Sequence, residues 1–348
     1  MFDKCAGDRR LVSEQAPVEP SNDAVTLRAR PLRTRVAALL ERFGLVIAWL
    51  IVIAVFGIVE PDTFLTPANF STIFGSQAVL VVLTLGLLVP LTAGDYDLSI
   101  AGVLTLASME IAYLNVNWHW PIALAIVAAL AMGAIVGLVN GLIMTVFDVD
   151  SLITTLGTGT VVSGIVIWVS HSNTISGISN SWVNLVVGTR VLGVPLEFYY
   201  GLVLAVLMWY FFEYTALGRR ILFVGRGRSV SRLSGLHVRR LRVGAMITSG
   251  VIGASAGALY VGTLGGADPT SGLTFLLPGF AAAFLGATAI IPGRFNPWGS
   301  LVAVYFLVSG ITGLIILGVE SFVQELFYGG ALVVAVVLSQ IARRRVQQ

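Results

Sequence analysis

Residues 92–102 read TAGDYDLSIAG and set Asp95, Asp97 and Ser99 at alternate positions between two apolar runs, VLVVLTLGLLVPL (79–91) and VLTLASMEIAYL (103–114). An aspartate at the centre of a bilayer costs about 2.5–3.5 kcal/mol, so a pair is seldom retained there without a task. Two tasks suit these residue types. Asp97 or Ser99 can accept hydrogen bonds from the free N–H groups that open the following helix, a cap worth about 1 kcal/mol. Alternatively, the same groups line a polar path and accept from the hydroxyls of a solute. The two are compatible, because a cap at a broken helix also marks a gate. Asp95 is expected at the water boundary. A second polar stretch, LITTLGTGTVVSG (152–164), brings Thr154, Thr155 and Thr158 within about one turn. Their hydroxyls can bond back to carbonyls one turn earlier, beside the packing glycines Gly157 and Gly159, or serve the same path. A third stretch holds Arg228, Ser231, Arg232, Leu233, Ser234 and Gly235 in a segment with eight arginines between 219 and 242.

Other chemistries lack their residues. The only lysine is Lys4, so a phosphate-binding GxxxxGK[ST] loop cannot be formed. HExxH, CxxC and Ser-His-Asp patterns are absent, and Cys5 alone cannot make an internal disulfide. The chain is therefore expected to hold no cofactor and catalyse no covalent step, any ATP hydrolysis belonging to another subunit. A carrier driven by an ion gradient is the alternative, with Asp95, Asp97 and Glu110 as its intramembrane carboxylates and His119 and His171 at span ends.

These residues are embedded in a chain of 348 residues that is 56% hydrophobic and 11% charged, with a mean hydropathy of +0.90. Soluble domains carry about 25% charged residues. Long unbroken apolar runs indicate an all-α polytopic membrane protein rather than a barrel. Ten spans are predicted, at about 43–59, 77–93, 98–115, 120–145, 151–170, 198–214, 243–263, 275–291, 299–317 and 322–341. Only TAGD parts the second from the third, so that pair is also open to reading as one broken or re-entrant segment. Residues 1–42 form a polar, basic tail expected to be disordered and cytoplasmic, 43–342 the transmembrane domain, and 343–348 a basic cytoplasmic end. Of the 21 basic residues, eight lie in 1–42, eight in 219–242 and three at Arg343–Arg345. This is the positive-inside pattern and not a nucleic-acid surface. It places the loop 216–242 and both termini inside and the polar loop 171–197 outside. Trp118, Trp120, Trp182, Phe198, Tyr199 and Tyr200 suit an outer aromatic girdle. Five spans followed by five give two halves of opposite orientation, an inverted-repeat layout in which GGADPTSG (265–272) is the counterpart of GDYDLS.

Four stretches resemble the membrane permease of ribose-type ABC sugar importers, the group that also handles xylose, arabinose and galactose-like sugars. They are TAGDYDLSIAGVLTLAS, VNGLIMTVFDVDSLITTLGT (139–158), ALGRRILFVGRGRSVSRLSGLHVRRLRV (216–243) and GFAAAFLGATAIIPGRFNPWGSLVA (279–303). They occur in the family's order, and the likeness covers about 43–342. The resemblance implies a pore-forming subunit in a bacterial inner membrane, acting with a second permease copy, an ABC ATPase subunit and an extracytoplasmic sugar-binding protein that docks on loop 171–197. It also implies a short helix in loop 216–242 that inserts into the ATPase. From the residues alone, the basic loop also suits topology and attraction to anionic lipid, although eight basic residues exceed what topology needs. Three departures stand out. The family's Gly-Gly-Ile-Asp is here Gly94-Asp95-Tyr96-Asp97, so Asp97 matches the family aspartate and Asp95 is extra. Arg228-Ser229-Val230-Ser231 replaces acidic and alanine residues ahead of Arg232-Leu233-Ser234-Gly235, and Pro292-Gly293-Arg294-Phe295 replaces a Gly-Gly-Arg-Gly turn.

Overall fold

The computed structural model describes the backbone of residues 32–320 and 322–347, and side chains over 42–320 and 322–340. The part of the expected tail at 1–31 lies outside the described residues. Helix α1 (Leu32–Val59) begins ahead of the predicted span, because LRTRVAALLERF is rich in helix formers and helix continues through it. Two short helices follow, α2 (Pro61–Phe64) and α3 (Pro67–Ser76), the latter capped by Thr66 Oγ1 accepting from the Asn69 N–H. Next come α4 (Ala78–Ala93), α5 (Ile100–Ala112) with a π-helical turn at Tyr113–Asn117, α6 (Ile122–Val146), α7 (Ser151–Ser170), α8 (Asn180–Val183) and α9 (Leu196–Tyr214). The arginine-rich segment forms α10 (Ala216–Arg226) and α11 (Arg228–Leu233). The chain closes with α12 (Val238–Leu264), α13 (Leu273–Gly286), α14 (Pro297–Ile316) and α15 (Phe322–Gln347).

Among the described residues, nine helical segments are long and apolar enough to cross a membrane. The prediction of ten differs at one place. The expected span 275–291 is the 14-residue α13, about 21 Å of helix against a hydrocarbon core of about 30 Å. ATAII is apolar but not helical. Asn296 explains the stop: its Nδ2 donates to the Gly286 and Ala289 carbonyls at 3.1 Å while its Oδ1 caps α14 by accepting from the Gly299 N–H at 2.7 Å. The second and third spans are two separate helices, with α3 and α4 forming one apolar run from Pro67 to Ala93.

The core is built on α4, buried over all sixteen of its residues, as a helix apolar on every face must be. Helix α12 lies against α4, α5 and α6. Its approach to α6 depends on glycine. A Cβ at Gly133 or Gly137 would strike the Gly250 or Met246 carbonyl oxygen, so GAIVGLVNG acts as a small-residue seam for backbone contact. At the end opposite the arginines, residues 175–176 pair antiparallel with 266–267 (Ile175↔Ala267), and a small hairpin joins 190–191 to 194–195.

Candidate functional site

Helix α4 ends where Gly94 takes a left-handed conformation (φ 82°). The chain then runs without regular structure through Asp95–Leu98 and restarts at Ser99 and α5. Such a break exposes backbone N–H groups inside an apolar bundle, and each needs an acceptor. Helix α7 supplies two. Ser151 Oγ accepts from the Tyr96 N–H at 3.1 Å, and Thr155 Oγ1 accepts from the Leu98 N–H at 3.0 Å. Asp97 supplies the third, Oδ1 accepting from the Ser99 N–H at 3.0 Å and from the Ser99 hydroxyl at 2.6 Å. Asp97 thus adopts the helix-start position read from the sequence, with Ser99 as donor.

From Ser99 the bonding continues across the bundle. Asn140 Nδ2 on α6 donates to Ser99 Oγ at 2.8 Å, and Thr158 Oγ1 on α7 donates to Asn140 Oδ1 at 2.6 Å. Thr158, Asn140, Ser99 and Asp97 form one chain of donors ending on the carboxylate. Asp97, Ser99 and Asn140 are fully buried, whereas Thr158 is half-buried and borders a cavity of about 480 Å³ between α6 and α7. Gly159 lies beside Ser99, its Cβ position 3.1 Å from the Ser99 Cα, which holds α7 against the break. Thr154 borders the same cavity and bonds back to the Asp150 carbonyl at 2.9 Å.

Asp95 is buried at the arginine-rich end, beside the exposed Gly94 and Arg228. It is 1% exposed. Arg242 on α12 grips it with two bonds, Nε to Oδ2 at 2.8 Å and Nη2 to Oδ1 at 2.7 Å. Arg228, the first residue of α11, adds Nη2 to Oδ1 at 2.7 Å and donates to the Gly94 carbonyl at 2.8 Å. Asp95 and Arg228 are therefore brought together, while Asp97 and the threonines form a separate group. A buried carboxylate held by two guanidiniums through three bonds is committed first to those partners. Ser231 is buried, bonding to the Gly227 and Phe223 carbonyls, whereas Arg232, Leu233, Ser234 and Gly235 are exposed. Gly235 ends α11 in the left-handed region (φ 79°), and the Leu236 N–H returns to the Ser231 carbonyl at 3.1 Å, as the sequence implied.

Tyr96 is the one residue of 95–99 that is exposed, and its ring lies 6.5 Å from both Phe280 and Phe284 of α13. Glu110 borders a separate cavity of about 240 Å³ between α5, α6 and α7. Among the described residues, no group of three His, Cys, Asp or Glu side chains could hold a metal ion. Sequence reasoning did not single out Asn140, Ser151 or Arg242. Asn140, polar within a 25-residue apolar helix, carried a signal that composition alone could have flagged, whereas Arg242 read as one more charge at the membrane boundary.

The chain resembles known transport proteins along almost its whole length. The D-allose transport system permease protein of Escherichia coli strain K12 is 28% identical over 301 residues, 86% of this chain and 92% of that protein. The ribose import permease protein of Bacillus subtilis strain 168 is 29% identical over 315 residues, 90% and 97% of the two chains. The L-arabinose ABC transporter permease protein of Azospirillum brasilense is 28% identical over 326 residues, 94% and 95%. No solved structure matches. Residues 69–337 match the family described as branched-chain amino acid transport system / permease component, and the chain belongs to that family: it is a multi-pass membrane permease subunit of an ABC importer, not an enzyme.

Proposed function

We propose that the chain conducts a pentose- or hexose-like sugar across the bacterial inner membrane, paired with a second permease copy and driven by an ABC ATPase. Three sugar permeases of similar length support the substrate class, and the ATP is consumed by the partner, since this chain has no lysine for a phosphate loop. Loop 216–242 and both termini face the cytoplasm by the positive-inside rule, and loop 171–197 receives the sugar from an external binding protein. Asp97, Ser99, Thr154, Thr155 and Thr158 form the gate region where the path meets the break. ATP-driven closure of the partner shifts the balance between inward- and outward-open states, which requires that the partner bind the two states with different affinity.

The observation that carries the ATPase partnership is the tip of the arginine-rich end. Val230 and Leu233 of α11 are 58% and 89% exposed, and no acidic residue occurs between 216 and 242. An uncovered apolar tip ringed by arginines fits a cleft that is apolar within and acidic at its rim.

The test is uptake of labelled D-ribose, D-allose, L-arabinose and D-galactose by cells expressing the full transporter, against cells lacking this chain. Uptake of at least one sugar is expected to need ATP and to survive a protonophore while ATP is held constant. Uptake that collapses with the protonophore at constant ATP, or that survives ATP depletion, would overturn the reading in favour of an ion-driven carrier.

A further inference from the structure

Seven of the eight arginines between 219 and 242 are exposed, whereas Arg242 is buried on Asp95. Asp95 therefore joins two bodies. Through Arg242 it is tied to α12, which packs against α4, α5 and α6. Through Arg228 it is tied to the first residue of α11, next to the exposed tip. The two ties are unequal. Arg242 is 9% exposed in its side chain and bidentate, so releasing it would leave a buried charge unpaired. Arg228 is 44% exposed and meets the carboxylate through one nitrogen, so water can replace that partner. Clearance is also missing beside this joint: a Cβ at Gly225, near the end of α10, would strike the Thr92 carbonyl oxygen at the end of α4. A displaced α11 must either draw Gly94 and Asp95 with it or open the Arg228 bond.

We propose that Asp95, Arg228 and Arg242 are positioning residues that transmit movement of the docked ATPase to the Gly94–Ser99 break, with Arg228–Asp95 as the bond that opens and Arg242–Asp95 as the one that holds. The proposal rests on the importer reading above. It also accounts for two of the departures from the resembling family's pattern. The extra aspartate at 95 and the arginine at 228, in a place of acidic or alanine residues, are the two sides of one ion pair, so Arg228 meets a carboxylate here only because Asp95 is present.

Tyr96, next to Asp95 and exposed, is the reporter. Because Cys5 is the only native cysteine, a Cys5→Ser, Tyr96→Cys chain carries one thiol. The complex purified through this chain is placed in lipid vesicles and labelled with a maleimide before and after vanadate traps nucleotide on the ATPase. Rates are normalised to trapped nucleotide. With Asp95 and Arg228 intact, trapping is expected to change the labelling rate at least about fivefold, the low end of ordinary coupling between sites. Arg228→Gln and Asp95→Asn should each reduce that change to under about twofold, and the double variant should be no worse than Asp95→Asn alone, since that single variant already removes the Arg228 ion pair as well as weakening the Arg242 clamp.

A merely structural role would lower the yield of complex and of trapped nucleotide while leaving the normalised change intact, and that outcome would overturn the proposal. So would an unchanged labelling rate with Asp95 and Arg228 intact. ATP-dependent sugar uptake by the same vesicles is measured in parallel. Its presence alongside an unaltered labelling change in the variants rejects the joint and keeps the importer, while its absence in the unmutated complex rejects the importer itself.

Discussion

Two irregular segments of the bundle use the same local device in different surroundings. In the first, Asp97-Leu98-Ser99, Asp97 Oδ1 accepts from the N–H and hydroxyl of Ser99 at 3.0 and 2.6 Å. In the second, Asp268-Pro269-Thr270, Asp268 Oδ1 accepts from the N–H and hydroxyl of Thr270 at 2.8 and 2.7 Å. Each precedes a short helix, α5 or α13, and the two meet where the Gly272 N–H donates to Thr105 Oγ1 at 3.1 Å. Yet Asp97 is buried and extended by Asn140 and Thr158, whereas Asp268 is half-buried at the edge of the outer loop, where its Oδ2 accepts from Thr174 at 3.2 Å. An identical Asp-x-Ser/Thr turn therefore carries different weight at the two places. Where water is excluded, each lost partner strands a polar group, and where water is present it replaces the partner.

The largest effect expected from this comparison is at Asp97. Asp97→Leu leaves the Ser99 N–H and hydroxyl without their acceptor in a dry site, at about 1–3 kcal/mol for each stranded group. The purified protein should melt well below the unmutated chain, and uptake should fail. Asp97→Asn keeps an acceptor oxygen and should lose less than half as much stability. Thermal denaturation in detergent compares the two, and equal losses would show that Asp97 does not matter as the acceptor for Ser99. The same pair of substitutions at Asp268 should differ little from each other.

Asn140 sharpens the contrast, because only the first turn has such an extension. Asn140→Leu removes the donor to Ser99 and the acceptor for Thr158 together, with an expected loss of about 1–3 kcal/mol. Thr158→Val removes only the half-buried end of the chain of bonds, and about 1 kcal/mol or less is expected. Melting curves should rank the two in that order. The reverse order would mean that Thr158 matters through its packing at the cavity and not through Asn140.

What could be read in advance follows from these distances along the chain. The membrane class, most helices and the polar Asp97–Ser99 turn before α5 were legible, because apolar length and an Asp-x-Ser spacing are local features. The partners of the break were not. Asn140 lies 41 residues from Ser99, Thr155 lies 57 from Leu98 and Arg242 lies 147 from Asp95. Placing them together requires knowing which faces of α6, α7 and α12 turn toward α5, and a helix apolar all round, as α4 is, offers no polar face from which to read a direction. This is why the clamp on Asp95 was not read: its arginines were visible in the sequence only as charges at the membrane boundary. The short α13 escaped for a related reason. Apolar composition extends through ATAII, while the stop is set by Asn296, ten residues beyond Gly286.

The smallest effect is expected at the second break, and its pH dependence is the finest test of the comparison. The Thr270 hydroxyl, followed by the Thr270 N–H, holds the Asp268 carboxyl below the usual carboxylate range, against a slight opposing effect of burial. A carboxylate with a lowered value in the folded state contributes above its unfolded value, about 3.9, and loses that contribution as pH falls through the lower folded value. The pairing of Ile175–Ser176 with Gly266–Ala267 should therefore be indifferent to pH between 6 and 8 and loosen only in strong acid. Hydrogen exchange at the Gly177 amide, which donates to the Gly265 carbonyl at 3.1 Å, followed as pH is lowered, reads this directly once the intrinsic rate is divided out. Asp268→Asn keeps an acceptor for Thr270, should alter stability at neutral pH by no more than about 0.5 kcal/mol, and should remove the acid step. A loosening centred near pH 6–7, or one that persists in Asp268→Asn, would assign the outer-loop contact to a different group and end the likeness between the two turns.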